Sequence, residues 1–343
     1  MEVCFSRIKI DMRNKYIQIN IISPIADLFK KQLSSKWLLE GYEFFFNSKE
    51  DIIWDAVVIY ENITEKYKLR YRSGGLFFIS GEPSIVKAYS SSFLNIFDHI
   101  ISSHALKRKN NHSDQQALPW YFGYNFHTSS PSLTYDQIEK LEVPAKLNKI
   151  SFVTSNRTFL PRHKKRIKWL NVLQNEVKDG LDYFGRGICA IEDKKDALLP
   201  YKFSICIENS CIKDYWTEKI ADAFLGYTVP IYYGCKNITK YFSEESLVVI
   251  DIADVTTSIS RIRDILDNID EYYQEKLPYI KEARERVLYQ YNIFPFIKSY
   301  LDRYVNLSLQ KNVEIEIYPY DSYCKDHFEE MTLKLKRVIY KMF

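Results

Sequence analysis

Residues 201–234 carry the side chains best suited to bind a charged ligand. They read YKFSICIENSCIKDYWTEKIADAFLGYTVPIYYG, a buried strand that ends at Glu208, then a loop, then a helix beginning near Thr217. Thr217 is a favourable N-cap and Glu218 suits the positive end of the helix dipole, whereas Lys219 in the same turn does not. Lysine is favourable there if an anion lies beside it, and the free helix N–H groups together with Lys219 would hold a phosphate or diphosphate. The alternative is a solvent-facing Glu-Lys pair.

The apolar runs around this segment alternate between strand-like and helical patterns. In the first half, strands are predicted at 16–22, 42–46, 56–60 and 76–79, with a helix at 25–39 and an exposed loop at 107–116. In the second half, strands are predicted at 150–154, 201–207, 229–233 and 247–250, with helices at 162–178, at 217–225 and onward to about 307. This alternation predicts an α/β fold with a mostly parallel sheet in each half.

The polar segment 142–146 is typical of a linker, so we predict two α/β domains, residues 1–145 and 146–305, and a C-terminal helical tail, 306–343. Ligands of open α/β sheets bind outside the carboxyl ends of the strands, which places the chemistry in the loops between the halves. The last residues, 331–343, are basic with interleaved apolar side chains. They could lie on an anionic membrane surface or pack back on the first domain.

Composition excludes several classes of protein. The 343 residues include 48 basic and 44 acidic side chains, a net charge of +4, which is too balanced for a dedicated nucleic-acid binder. The six cysteines are scattered and form no CxxC pair, so no zinc or redox motif is indicated, and a reducing compartment is expected. Neither a signal peptide nor an apolar run of membrane-spanning length is evident, so we expect a cytoplasmic protein, with peripheral contact to the inner face of the membrane as an option.

Three motifs in the segment described first carry a resemblance to a known family. ENS, DYWTEKIADAF and TVPIYYG, in this order and spacing, resemble the signature of the α1,3/4-fucosyltransferases. That family transfers L-fucose from GDP-fucose, and the resemblance implies its GT-B-like architecture of two Rossmann-like α/β domains facing a central cleft. It also implies that Asn209, Tyr215, Glu218 and Lys219 face the donor. Lys219 would neutralise the diphosphate, while Glu218 would hydrogen-bond donor hydroxyls or oppose charge developing on the sugar.

Upstream segments resemble further donor-binding elements of the family. Ser155 and Asn156 end the predicted strand in FVTSN, and Gly185 lies in the glycine turn of LDYFGRG. In the basic segment RHKKRIKWL, the helix register aligns Arg166 with the diphosphate-binding arginine, whereas counting forward from Ser155 favours Arg162. The helix register is the better guide because loop lengths vary freely.

The first half supplies the implied general base. Glu82 stands in a Gly-Glu-Pro turn directly after a strand and resembles the family's ESP-type turn, whose glutamate is the proposed base. In an inverting displacement one such carboxylate takes the proton of the attacking hydroxyl. We therefore predict Glu82 and Glu218 as catalytic residues. Glu82 could instead cap the following helix, and the alternative bases are His104, His112 and His127, each more simply explained as a surface or satisfied histidine.

The predicted function is transfer of L-fucose from GDP-fucose to a glycan hydroxyl in α1,3 or α1,4 linkage, for example to GlcNAc or Glc of a surface polysaccharide such as lipopolysaccharide. The acceptor would be an oligosaccharide or a lipid-linked glycan, and segments 97–100 and 118–123 resemble the acceptor region. With no metal motif present, we expect no metal or other cofactor. The alternatives are a transferase for another GDP-sugar and a catalytically inactive protein that binds glycan or nucleotide.

Overall fold

The computed structural model describes residues 16–84, 86–154, 161–309 and 311–323. The first half is built on a six-stranded parallel sheet of order β2-β1-β4-β6-β7-β8. The strands of this half are β1 (Ile17–Ile22), β2 (Tyr42–Phe46), β3 (Ile53–Trp54), β4 (Ala56–Tyr60), β5 (Tyr67–Arg72), β6 (Leu76–Ile79), β7 (His99–Ser102), β8 (Asn111–Ser113), β9 (Tyr124–Asn125) and β10 (Ser130–Pro131). Strands β3 and β5 belong to a separate three-stranded sheet, and β9 and β10 form a hairpin. Its helices are α1 (Ala26–Lys30), α2 (Lys36–Leu39), α3 (Ser91–Leu94) and α4 (Tyr135–Glu139).

The second half is built on a five-stranded parallel sheet of order β12-β11-β13-β14-β15. Every residue of its central strand is buried, as expected for a strand covered by helices on both faces. The elements are β11 (Leu147–Val153), α5 (Pro161–Glu176), β12 (Leu181–Phe184), β13 (Tyr201–Ile207), α6 (Glu218–Leu225), β14 (Val229–Tyr233), β15 (Val248–Val249), α7 (Val255–Asp267), α8 (Ile269–Tyr289), α9 (Ile293–Tyr304) and β16 (Asn312–Ile317). Short 3-10 turns lie at Lys194–Ala197, Ile238–Lys240, Glu244–Ser246 and Tyr320–Tyr323.

The two halves face each other at the carboxyl ends of their strands. The loop after β8 reaches the loop after β13, where the Gln116 side-chain amide donates to the Asp214 carbonyl at 2.7 Å. Helix α9 crosses back to the first sheet, and Phe294 packs edge-on against Phe44 with ring centroids 4.7 Å apart. The predicted α/β class, with two parallel sheets in the GT-B-like arrangement, is confirmed.

Two local predictions for the first half are wrong. The pattern at 25–39 predicts one helix, but the chain forms α1 and α2, separated where the Ser34 hydroxyl accepts the Lys36 amide at 3.2 Å. Residues 107–116 were predicted as an exposed loop, but β8 lies in this segment and pairs with β7, and Gln116 is buried. A polar strand at a sheet edge carries no hydrophobic alternation, so periodicity does not reveal it.

The predicted helical tail is also wrong where the structure describes it. Asn312–Ile317 is a strand that pairs antiparallel with β5 of the first half. Its sequence alternates polar and apolar residues with the period of two that strands require, and the salt bridges Glu314–Lys68 and Glu316–Lys66, each 2.8 Å, flank the pairing. Residues 324–343 lie outside the described part, so membrane contact stays a prediction. In the part that is described, no helix has the length and apolarity needed to cross a membrane.

Candidate active site

A buried carboxylate at the end of β13 organises the start of α6. Glu208 accepts the Thr217 amide at 2.8 Å, the Thr217 hydroxyl at 2.8 Å and the Lys219 ammonium at 3.1 Å. The Thr217 hydroxyl in turn accepts the Lys219 amide, which confirms the predicted N-cap. The sequence interpretation missed Glu208, although an acid at the end of an apolar strand signals a charged partner, since a buried charge must be paired.

The Lys219 ammonium belongs to this network and is not an isolated cation. It donates to Thr217 at 2.9 Å and lies 3.4 Å from a carboxylate oxygen of Glu218, in addition to its contact with Glu208. Burial would lower the pKa of Lys219, but the two carboxylates outweigh burial and raise it. Lys219 is therefore charged throughout the physiological range, and an incoming diphosphate would share it with two acidic groups.

Glu218 lies between two lysines at the N-terminus of α6. One carboxylate oxygen is 3.4 Å from the ammonium groups of both Lys219 and Lys194, and the side chain is 20% exposed. Burial would raise the pKa of Glu218, but the two cations outweigh it and hold the pKa at about 2. The carboxylate is therefore ionised at neutral pH. It can accept hydrogen bonds or stabilise positive charge, but it cannot supply a proton.

Arg166 and Asn209, both predicted to bind the donor, meet in the structure. Arg166 comes from α5, is 7% exposed, and donates to the Asn209 side-chain oxygen at 3.4 Å. Burial lowers the pKa of this guanidinium. Ser155, Asn156 and the side chain of Arg162 lie outside the described residues, so the choice between Arg162 and Arg166 stays a prediction.

Gly185 is required by backbone geometry at the end of β12. Its φ is +122°, and a Cβ atom there would lie 1.8 Å from the carbonyl oxygen of Thr154, the last described residue of the loop after β11. Only glycine allows the two strand ends to approach so closely. The predicted donor-binding role of Gly185 stays a prediction, but the turn that carries it is fixed beside the segment leading to Ser155.

Tyr215 lies between the two halves. It is 5% exposed, and burial, followed by the charges of Glu208, Glu82 and Glu218, raises its pKa well above the usual value. Its hydroxyl is therefore always protonated and available as a hydrogen-bond donor. The preceding residue, Asp214, has φ +57° and accepts the Tyr241 hydroxyl at 2.6 Å, which fixes the loop that presents Tyr215.

Glu82 is held in its turn by a second glutamate. Its amide donates to the Glu61 carboxylate at 2.7 Å, and Glu61 also accepts the Tyr89 hydroxyl at 2.6 Å and the Lys87 ammonium at 3.0 Å. The Glu82 carbonyl accepts a hydrogen bond from His104 at 2.7 Å. The sequence interpretation missed Glu61, because the contact joins the segments that follow two neighbouring strands, β4 and β6.

The alternative roles predicted from the sequence, Glu82 as a helix cap and three histidines as bases, agree less well with the structure. The next helix, α3, is capped by Ser90, so Glu82 does not cap it. His104 is buried against the Glu82 carbonyl and burial lowers its pKa, so it is a satisfied neutral histidine. His112 lies 3.1 Å from His99 at the sheet edge, and His127 is exposed on the β9–β10 hairpin.

Charged groups of both halves influence the carboxylate of Glu82. Its pKa is raised, first by burial and then by Glu61; Glu218 raises it further, and Lys87 and Lys219 oppose the rise. Glu82 is solvent-exposed, yet partial desolvation is the largest cause of its raised pKa. Glu218 and Lys219 therefore influence the pKa of Glu82 in opposite directions.

No metal centre is evident in the part of the chain that the structure describes. There, no group of three or more His, Cys, Asp or Glu side chains is arranged to hold an ion. The expectation that no cofactor is required stays a prediction.

Comparison with known proteins identifies the second half. Residues 143–291 match the family described as glycosyltransferase family 10 (fucosyltransferase), C-terminal part. The chain is 38% identical over 74 residues to the alpha-(1,3)-fucosyltransferase FucT of Helicobacter pylori, covering 21% of this chain and 16% of that protein. It is 28% identical over 138 residues to the human 4-galactosyl-N-acetylglucosaminide 3-alpha-L-fucosyltransferase 9, covering 38% and 37%.

The matches to these curated relatives span well under half of their length. Among solved structures, a crystal structure of an alpha1,3-fucosyltransferase with GDP-fucose is similar with a TM-score of 0.48 and 18% identity, covering 86% of this chain and 95% of that one. The motifs around Glu208 and Lys219 lie inside the matched segment 143–291. The matched segment, residues 143–291, belongs to glycosyltransferase family 10, the fucosyltransferases.

Proposed function

We propose that this protein transfers L-fucose from GDP-fucose to a hydroxyl group of a glycan, with inversion at the anomeric carbon. The observation that supports the proposal is the pKa of Glu82, which follows β6 of the first half and is influenced by the charges of Glu218 and Lys219 at the start of α6. A base on one side and a charged helix N-terminus on the other are the two parts that a single displacement requires.

The donor would bind at the start of α6. The helix N–H groups, Lys219 and Arg166 supply positive charge for the diphosphate, and the protonated Tyr215 hydroxyl supplies a further donor. Glu218, ionised and flanked by lysines, would accept fucose hydroxyls or stabilise positive charge on the sugar ring. Because Lys219 already contacts Glu208 and Glu218, a bound diphosphate would replace some of these contacts.

Chemistry would proceed in one step. The acceptor oxygen attacks the anomeric carbon and forms the new C–O bond, while the bond from that carbon to the phosphate oxygen breaks and its electrons leave with GDP. The acceptor proton passes to the Glu82 carboxylate, whose raised pKa makes it a better base than a solvated glutamate. The relatives reported above are named for 3-linked transfer, which supports an α1,3 linkage over an α1,4 linkage.

Calorimetric titration with GDP, UDP and ADP tests the donor site. We expect a clear preference for GDP, and a loss of about 10- to 100-fold in affinity in Lys219→Ala, the worth of a charge-assisted hydrogen bond. Lys213→Ala is the matched control, because Lys213 is an exposed lysine of the loop that leads into α6. Urea unfolding of each variant in parallel separates lost binding from lost folding.

Equal affinity for the three nucleotides, or no binding of any of them, would remove the donor assignment. An unchanged affinity in Lys219→Ala, with folding intact, would show that the phosphates are held elsewhere. Transfer from another GDP-sugar in preference to GDP-fucose would support the nucleotide-binding site but contradict fucose as the transferred sugar.

A further inference from the structure

The acceptor-side loop is held by aspartates of the other half through its backbone. Three consecutive amides of this loop, at residues 121–123, donate to two buried carboxylates. Asp222 accepts the Tyr121 amide at 2.8 Å and the Phe122 amide at 2.9 Å through one oxygen, and Asp193 accepts the Gly123 amide at 3.1 Å. Charge-assisted bonds of this kind are about twice as strong as neutral ones. The conformation of the 121–123 loop therefore depends on the position of Asp222.

Asp222 lies on α6, one turn after Glu218, and a single lysine joins the two carboxylates. The Lys194 ammonium is 2.8 Å from the second oxygen of Asp222 and 3.4 Å from Glu218. It also lies 5.2 Å from the centre of the Tyr121 ring. Lys194 thus contacts the donor-side glutamate, the aspartate that binds the loop and a side chain of the loop itself.

The site leaves room for this ammonium to shift. A cavity of about 20 Å³ is lined by Lys194, Lys219 and Asp222. That volume accommodates about one water molecule. The Lys194 ammonium therefore borders a space into which it can shift as it redistributes its hydrogen bonds between the two carboxylates.

We propose that Lys194 is a positioning residue that couples occupancy of the donor site at Glu218 to the order of the 121–123 loop. A ligand hydroxyl that donates to Glu218 competes with Lys194 for the carboxylate. Lys194 then turns fully to Asp222 and strengthens the anchor of the loop amides. Coupling between two sites is reciprocal, so an acceptor that orders the loop tightens donor binding by the same factor. The identity of the donor as GDP-fucose rests on the proposed function.

Hydrogen exchange of the full chain, followed by mass spectrometry with and without saturating GDP-fucose, tests the coupling. In the wild-type protein, donor binding should slow exchange at the Tyr121 and Phe122 amides by about fivefold or more, the lower range of typical couplings. In Lys194→Met this slowing should disappear although GDP-fucose still binds, and Lys194→Arg should restore it. Lys49→Met is the matched control, because it breaks an exposed ion pair with Glu65 that involves none of Glu218, Asp193 and Asp222.

Asp222→Asn provides a second variant should Lys194→Met unfold. It keeps an oxygen for the loop amides but removes the charge that attracts Lys194, so it should also abolish the slowing. Slowing in Lys194→Met equal to that of the wild type, or its absence from wild-type protein saturated with GDP-fucose, would overturn the coupling while leaving the proposed function intact. Failure of the wild type to bind GDP-fucose at all would remove the proposed function and the coupling together.

Discussion

Replacing Gly234 with alanine should damage both stability and nucleotide binding, because the new methyl group collides with Glu208. The Cβ atom would lie 2.5 Å from Cγ and 2.7 Å from Cβ of Glu208, and 2.6 Å from the Tyr232 hydroxyl. Real Cβ atoms do not approach other atoms so closely, so Glu208 must move. Its carboxylate cannot move freely, because it holds Thr217 and Lys219.

The size of the effect follows from three contributions. Overpacking a buried site costs about 1–3 kcal/mol, and weakening one charge-assisted hydrogen bond of Glu208 costs about 1.5–3 kcal/mol. Loss of glycine freedom in the unfolded chain offsets about 0.4–1 kcal/mol. We therefore expect the free energy of unfolding to fall by about 2–5 kcal/mol in Gly234→Ala, within the range of single-site effects on buried networks.

Urea unfolding and GDP titration measure the two effects, with Gly226→Ala as the control. Gly226 ends α6 with φ −83°, and its added methyl would meet only side-chain atoms at 3.1–3.4 Å. We expect the control to change stability by less than about 1 kcal/mol and to bind GDP normally. If Gly234→Ala matched Gly226→Ala in both stability and GDP affinity, the buried network around Glu208 would not be what shapes the donor site.

Two further predictions concern the base and the glycine turn. Glu82 acts as a base only when it is ionised, so the acid limb of the pH profile of kcat/KM should follow its pKa. Glu61→Gln removes a charge that raises this pKa and should move the limb to lower pH, whereas Lys87→Met removes a charge that lowers it and should move the limb to higher pH. No shift, or shifts in the reverse directions, would contradict the assignment of Glu82 as the base. Gly185→Ala should unfold at a lower urea concentration than the control Gly41→Ala. Gly41 has φ +89° with nothing within 4 Å of an added Cβ atom, so alanine there costs only the backbone strain of a positive φ, about 1–2 kcal/mol. Equal losses of stability in the two variants would contradict the close backbone approach at Gly185.

The sequence was most informative where the determinants of structure are local. The start of α6 was predicted because a threonine N-cap acts within one turn, and β13 was predicted because a strand buried on both faces is an uninterrupted apolar run. The same locality explains why Glu218 and Lys219 were predicted in the first turn of this helix.

Contacts between residues distant in sequence were not predictable from local patterns. Lys194 meets Asp222, and Glu61 meets the Glu82 amide, only because the fold brings distant segments of the chain together. The strand pairing of β16 with β5 joins segments at opposite ends of the chain, so its alternation could not reveal a partner. These tertiary contacts decide the charge state and orientation of the predicted site residues.

The most direct test of the central claim is transfer from GDP-fucose to a panel of galactosyl-N-acetylglucosamine and glucose-containing glycans, measured as GDP release and as product configuration by nuclear magnetic resonance. The wild-type protein should form an α-fucoside, and Glu82→Gln should bind GDP-fucose normally but turn over at least about 10²-fold more slowly. Glu65→Gln, an exposed glutamate paired with Lys49, should match the wild type. Full activity in Glu82→Gln, or a product that retains the configuration of the donor, would contradict the account.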